Sequence, residues 1–296
     1  MRACGEDEIM LNTKHKFTVF DAIVHVVNIL IAVAILYPMV HLLAVSLSGY
    51  SEIMAGEVTI LPKGFSLENY LYFLGDSKVL RAYGNSIIYT AVGVACNLAI
   101  TLLTAYPLSR NKLMGRSVIM KLIIFTLYFS GGTIPLYLVV KGTHLLDTMW
   151  SLIIPNVVWT MELIIMISFF KSIPPSLYEA AELDGAGEFQ TFVKVALPLS
   201  KASIASIALF FFIGHWNSYY NPMLYLNEPS KYPMQLVLRN MLLENTESVT
   251  SSMLAGVAPE GIKSAIIVLT MIPVLIIYPF VQKFFVKGVT VGAVKG

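Results

Sequence analysis

Six apolar stretches dominate this chain, near residues 22–47, 86–106, 118–140, 150–170, 202–225 and 264–286. A helix rises about 1.5 Å per residue, so roughly 20 apolar residues cross the ~30 Å of hydrocarbon in a bilayer. Each stretch is long enough. Lipid offers the backbone no hydrogen-bond partner, so such segments must be helical, and the roughly ten-residue alternation of a membrane barrel is absent. The expected fold is therefore all-α and polytopic: one membrane domain of six transmembrane helices over residues 22–286, with tails at 1–21 and 287–296. Lys14 and Lys16 precede the first span in the manner of a signal peptide. Its apolar core is too long for one, which predicts an uncleaved helix.

Composition narrows the function classes. With 56% hydrophobic and only 13% charged residues, the chain lacks the charged surface of a soluble enzyme. A net charge of +2, with no basic stripe or aromatic platform, excludes nucleic acid as a partner. Cys4 and Cys96 have no metal-type spacing and no evident mate, so neither a disulfide nor a zinc site is expected. Lys and Arg cluster in alternate loops. If both termini lie inside, the inner segments carry roughly twice the basic residues of the outer ones, and the short loop with Arg110, Lys112 and Arg116 is the most telling. Both termini are thus expected in the cytoplasm.

The third inner segment, 171–201, is too polar for lipid and carries local helix signals. Ser176 with Glu179 three residues on has the pattern of a capping box, which predicts a helix starting after Pro174-Pro175 over Leu177 to Asp184. Gly185 supplies the left-handed stop. A second short helix is expected over Glu188 to Ala196, ended by Pro198. Two short helices around an alanine pair and a glycine corner form a knob suited to another protein's groove; a solvated helical loop is the plainer alternative.

These residues resemble a known motif. Glu179-Ala180-Ala181, three residues, Gly185, nine residues, Val195, one residue and Leu197-Pro198 match the EAA motif of the inner-membrane permeases of ABC importers, with Val in the usual Ile slot. The resemblance extends over most of the chain and is of the carbohydrate-uptake, MalG-like type, in its LplC/YtcP-like branch, whose relatives are linked to complex or acidic oligosaccharides. Gly84-Asn85-Ser86, Phe169 to Pro174, Gly214-His215-Trp216-Asn217 and the tail Phe285 to Gly288 with Gly292 to Gly296 carry it. The resemblance implies a type I importer fold in a bacterial inner membrane, with the EAA loop as a coupling helix. Glu179, Ala180, Ala181, Asp184, Gly185, Leu197 and Pro198 would then engage an ATPase. It also implies a second homologous permease as heterodimer partner, two ATP-binding subunits, an external solute-binding protein and an oligosaccharide substrate. The chain would hold no cofactor, since ATP and Mg would be bound by the partner subunits.

Chemistry of its own is not expected in this chain. A phosphate loop needs a Gly-rich turn ending in Gly-Lys-Ser/Thr; Gly256 to Gly261 followed by Ile262-Lys263 displaces the lysine and lacks a preceding strand. No paired carboxylates, nucleophile with base or zinc signature points to an enzyme. Glu162 is the one carboxylate well inside an expected span, where insertion costs about 2.5–3.5 kcal/mol. It is expected either to line the solute path or to be buried, protonated or paired with the second permease. His215, Trp216, Asn217, Tyr219 and Tyr220, with Asn221, close the fifth span with rings and amides that suit a sugar and equally suit an interfacial belt. Asp21 and His25 are expected as a local pair, and His41 as a buried, hydrogen-bonded residue. Three rival readings stay open: an ABC permease for a non-sugar solute, an ion-coupled carrier working without ATPases, and a membrane-embedded enzyme.

Overall fold

The computed structural model describes residues 18–243 and 257–293, and every regular element among them is helical. The N-terminal tail to residue 17, with Cys4, and the Gly292 to Gly296 motif beyond residue 293 lie outside the described residues. The first helix, α1 (Val19–Ser46), starts at a capping box: the Asp21 N–H donates to Thr18 Oγ1 and the Thr18 N–H donates to Asp21 Oδ2. This changes the expected Asp21–His25 pair. The Asp21 carboxylate serves Thr18, and His25 Nδ1 meets the Asp21 main-chain oxygen at 2.6 Å.

After α1 come the short α2 (Tyr50–Met54) and α3 (Glu68–Leu74), then α4 (Ser77–Ser109), α5 (Arg116–Tyr128), α6 (Thr133–Gly142), α7 (Trp150–Ile153) and α8 (Thr160–Ser172). The short α9 (Pro175–Leu183) and α10 (Glu188–Thr191) lead through a π turn, Phe192–Ala196, and α11 (Leu197–Leu199) into α12 (Lys201–Trp216). The chain ends with α13 (Tyr220–Tyr225), α14 (Met234–Leu243) and α15 (Pro259–Ala293).

Among the described residues, three helices are each long and apolar enough to cross a bilayer: α1, α4 and the Pro259–Pro279 part of α15. Three further crossings arise only if bent pairs count as single spans, and here the expected unbroken segments are corrected. α5 and α6 meet at 115°, where Ser130-Gly131-Gly132 interrupts the helix and Gly132 takes φ +84°. The α7 segment and α8 meet at 54° around the 3-10 turn Ile154–Asn156, which contains Pro155. The run Glu188–Leu199 turns 80° into α12 at Ser200, and α12 stops at Trp216 instead of continuing to residue 225.

α4 organises the bundle. Its buried residues include Ser86, Thr90, Gly93, Asn97, Thr101 and Ala105, small and polar groups three or four apart on the face packed against α8 and α12. That inverts the pattern of a soluble helix, because in lipid close backbone approach and hydrogen bonds drive packing while apolar side chains face outward. Asn85 Nδ2 donates to Ser230 O and Tyr232 O, and the Met234 N–H donates to Ser86 Oγ at 2.7 Å. The Asn-Ser pair thereby pins the segment leading into α14.

Irregular backbone is compensated side chain by side chain. Asn97, 0% exposed, donates through Nδ2 to the carbonyls of Asn156 and Val157, both at 3.0 Å, where α7 gives way to α8. Asn69 Nδ2 donates to Ser46 O and Ser48 O at the end of α1. In α15, Pro273 has no N–H for the Leu269 carbonyl; Tyr83 Oη donates to that oxygen at 3.3 Å, and Trp216 Nε1 donates to the neighbouring Thr270 O at 2.9 Å. Trp216 is 2% exposed. Within the chain its ring meets Tyr83 edge-on and stacks on Phe212. His41 is half-buried, not fully enclosed, with Nδ1 2.7 Å from Thr59 O.

At the end of the bundle opposite α9, Asp147 ties the α6–α7 connection to the segment after α13. Its carboxylate accepts from the Asn227 and Glu228 N–H groups and from Lys231 Nζ at 2.7 Å. The Lys231 hydrogen bond first, then the two amides, hold this carboxyl below the usual aspartate range.

Helix contacts leave no slack at Gly93 and Gly214, nor at Gly261, where a Cβ would overlap the Asn69 side chain. A Cβ on Gly214 would overlap the Trp159 ring, and one on Gly93 would lie 2.6 Å from the His215 ring, whereas Gly84 has nothing within 4 Å. Gly214→Ala is therefore expected to lower the melting temperature of the purified protein measurably, and Gly84→Ala to leave it unchanged or raise it slightly; equal melting of the two variants would contradict this packing. Trp216→Phe should cost about 1 kcal/mol through the lost bond to Thr270, visible as reduced thermal stability with transport per folded molecule retained.

Candidate functional site: a knob on the bundle and a polar break within it

The 171–201 segment folds as a knob at one end of the bundle. α9 begins at Pro175, with Pro174 as N-cap and no side-chain cap hydrogen bond. The capping box expected at Ser176 is not formed. Pro175 occupies N1, where its fixed φ and missing N–H cost nothing, so the helix starts two residues early and Ser176 falls inside it. The other end closes as foreseen: Gly185 sits at φ +78°, its N–H donates to Glu182 O, and the Ala186 N–H donates to Ala181 O at 2.9 Å. This is a Schellman closure, with Asp184 as C-cap.

The second helix also differs from expectation. Pro198 does not end it; the helical path runs on through the π turn and α11 to Leu199 and breaks at Ser200. Pro198 lies at the second position of α11, where the wider π turn ahead of it accommodates a ring that a continuous α-helix would reject.

The inward side of the knob is aromatic. Tyr178 is 4% exposed and donates its hydroxyl to Phe170 O at 3.2 Å. Tyr106 packs on Phe192 at 5.0 Å and edge-on to Phe170 at 5.9 Å. Leu197 is half-buried against the same cluster. Electrostatics reinforce it. Glu182 accepts from Lys112 Nζ at 2.8 Å and from Arg110 Nη2 at 3.1 Å, while the Arg110 guanidinium lies 4.1 Å over the Tyr178 ring. The Lys112 hydrogen bond, aided by both cations, holds the Glu182 carboxyl below the usual glutamate range. Tyr106 Oη donates to Glu188 Oε2 at 3.1 Å. The basic α4–α5 loop is thus the seat of the knob.

The outward side is open. Glu179, Ala180, Asp184, Gly185 and Pro198 are exposed and Ala181 is half-buried, and around them Leu183 is 88% and Phe189 70% exposed. Large apolar side chains this open beside carboxylates are suited to a protein partner. Between the knob and the α4–α5 loop runs a cleft of about 490 Å³ lined by Glu179, Glu182, Arg110, Arg116 and Lys171 among others.

The residues expected along a path do not form one cluster. Glu162 is in the first turn of α8, half-buried, where the helix N-terminus favours a negative charge; the break before α8, hidden in the apolar run, supplies that terminus. His215 lies within the bundle, its Nε2 2.7 Å from Asn97 Oδ1. Asn217 caps α12 and is exposed, as are Tyr219 and Tyr220. Sequence reasoning missed Asn97, Asn156 and Trp159, which meet His215 at the break. An Asn in the middle of an apolar stretch and a Pro-Asn pair in another were the available signals. Glu182, Arg110 and Lys112 were visible only as loop charges, and their pairing depends on the tertiary fold.

Several known proteins share this architecture. Protein LplC of Bacillus subtilis is 42% identical over 300 residues, covering 99% of this chain and 100% of the relative. The polygalacturonan/rhamnogalacturonan transport system permease protein YtcP of the same organism is 39% identical, covering 95% and 100%. A chain in the crystal structure of a bacterial ABC transporter involved in the import of the acidic polysaccharide alginate superposes with a TM-score of 0.86 at 33% identity, covering 91% of this chain and 99% of that one. Residues 98–291, from the centre of α4 through the knob into α15, match the model of the family described as binding-protein-dependent transport system inner membrane component, and the chain belongs to that family.

Proposed function

We propose that this chain is one membrane-spanning subunit of an ABC importer that brings an oligosaccharide into the cell, and that it neither binds nor hydrolyses ATP. In this reading the chain crosses a bacterial inner membrane six times, with α5–α6 and the α7 segment with α8 each serving as one bent span and the fifth span beginning after the bend at Ser200, and with both termini and the α9 knob in the cytoplasm. A second, homologous permease completes the translocation path, two ATPase subunits dock on the knobs, and an external binding protein delivers the sugar.

The observation that carries the proposal is the two-sided knob: a back fastened to the bundle by Glu182, Tyr178 and Tyr106, and a front that leaves Glu179, Leu183 and Phe189 uncovered. A lever needs both. ATP binding would draw the ATPase pair together, the gripped knobs would follow, and the spans would shift from inward-open to outward-open as the closed pair binds that state better. The sugar assignment draws support from the named cargo of YtcP, polygalacturonan/rhamnogalacturonan, and of the importer of the acidic polysaccharide alginate.

Two variants test the lever. Glu179→Lys should cut ATP-driven uptake in vesicles at least about tenfold, through failed co-purification of the ATPases or hydrolysis without transport; normal uptake by this variant would refute the docking role. Glu182→Lys places a third cation beside Arg110 and Lys112 and should loosen the knob, abolishing uptake while the spans remain folded. Adding Lys112→Glu re-creates an ion pair of opposite polarity and should restore part of the activity. Absence of any rescue would count against the electrostatic seat.

A further inference from the structure

Next to the break between α7 and α8 lies a cavity of about 140 Å³, and its walls are unusual for the interior of an apolar bundle. Asn156, Trp159, His215, Ser218 and Asn221 all line it. None of the side chains of Asn156, Ser218 and Asn221 makes a hydrogen bond among the described residues, nor does the indole N–H of Trp159. Buried or half-buried polar groups in a membrane segment are costly without partners. These four side chains are half-buried around one open volume, so their polar groups remain available to whatever enters it.

The hydrogen-bond logic fixes what His215 contributes. Asn97 Nδ2 is committed to two carbonyls, so Asn97 Oδ1 is the atom facing His215. An amide oxygen only accepts, so His215 Nε2 must carry the hydrogen. In the neutral ring Nδ1 is then a bare acceptor, and no donor within the described residues reaches it. The residues that line the cavity thus carry an imidazole, an indole, two amides and the hydroxyls of Ser218, Ser86 and Tyr89, the last two already hydrogen-bonded to the segment before α14. No charged side chain lines it. Alternating donors and acceptors without charge, beside an aromatic ring, match the hydroxyl edge of a sugar and not its carboxylate. The volume corresponds to roughly four or five water molecules at ~30 Å³ each, which one ring edge would displace.

From this we infer that the chain itself holds a sugar-ring subsite at the α7–α8 break, in which His215 Nδ1, Asn156, Asn221, Ser218 and Trp159 bind ring hydroxyls of the passing oligosaccharide. The inference rests on the importer reading above and adds a contact in this subunit that reads hydroxyls, so any carboxylate on the cargo is held elsewhere. Broken spans are where transporters gather polar groups for their cargo, and Asn97 lets the break persist without a substrate.

The test uses the assembled complex in lipid vesicles with saturating, sugar-loaded binding protein. His215→Gln keeps a donor for Asn97 and deletes Nδ1; Asn221→Ala removes an amide with no partner among the described residues. Each is expected to lower sugar imported per ATP hydrolysed about three- to tenfold, with binding-protein-stimulated ATPase activity and thermal stability close to the unaltered complex. The loss should be equal for neutral and acidic oligosaccharides. Unchanged import per ATP in both variants overturns the subsite and leaves the importer reading standing, as would a loss confined to acidic sugars. A parallel fall in ATPase activity and stability would mark a purely structural cluster and also overturn it. If the unaltered complex moved no sugar on ATP hydrolysis, the importer reading would fall and the subsite with it.

Discussion

Lipid supplies no hydrogen-bond donors or acceptors, so every backbone group released by a bend must find its partner inside the protein. This one constraint accounts for much of the architecture. The Asn156 and Val157 carbonyls meet Asn97, the acceptor orphaned by Pro273 meets Tyr83, and the Thr270 carbonyl beside it meets Trp216. Polar residues that look misplaced in an apolar sequence stand where the helix is interrupted. They also recruit α4 as the common support, since Tyr83 and Asn97 both belong to it.

The same economy explains the division of labour along the chain. The knob is made from elements too short to be stable alone, a nine-residue helix and a four-residue helix, so its rigidity comes from tertiary anchoring. Aromatic packing beneath Tyr178 and the ions around Glu182 provide that anchoring on one side only. Exposed ion pairs contribute little individually; here two cations converge on one carboxylate and one of them also covers an aromatic ring, which fixes orientation more than it adds stability.

Much of this was legible in the sequence. The apolar stretches located the helices, Gly185 marked the turn of the knob, and the spaced motif from Glu179 to Pro198 pointed to the family that the comparisons then showed. The breaks at Gly131-Gly132 and Pro155 were not legible, because they lie in runs whose hydropathy is unchanged by a bend, whereas the turn into α12 was expected at Pro198 and falls at Ser200. Average hydropathy counts residues and is blind to direction. Pro175 overrode the Ser176 cap because a proline at N1 sets the first helical φ before a side-chain cap is needed. Trp216 read as a ring at a boundary, and only the position of Pro273 on another helix shows why it is buried.

Gly93 and Gly214, at the crossings of α4, α8 and α12, have a mechanical meaning. With Trp159 seated on Gly214 and His215 on Gly93, α8 and α12 mesh with each other and with α4 like gears cut without backlash. Such a train cannot absorb a small displacement by local rattling. Whatever travel is imposed at the knob end must reappear, undamped, at the far rim.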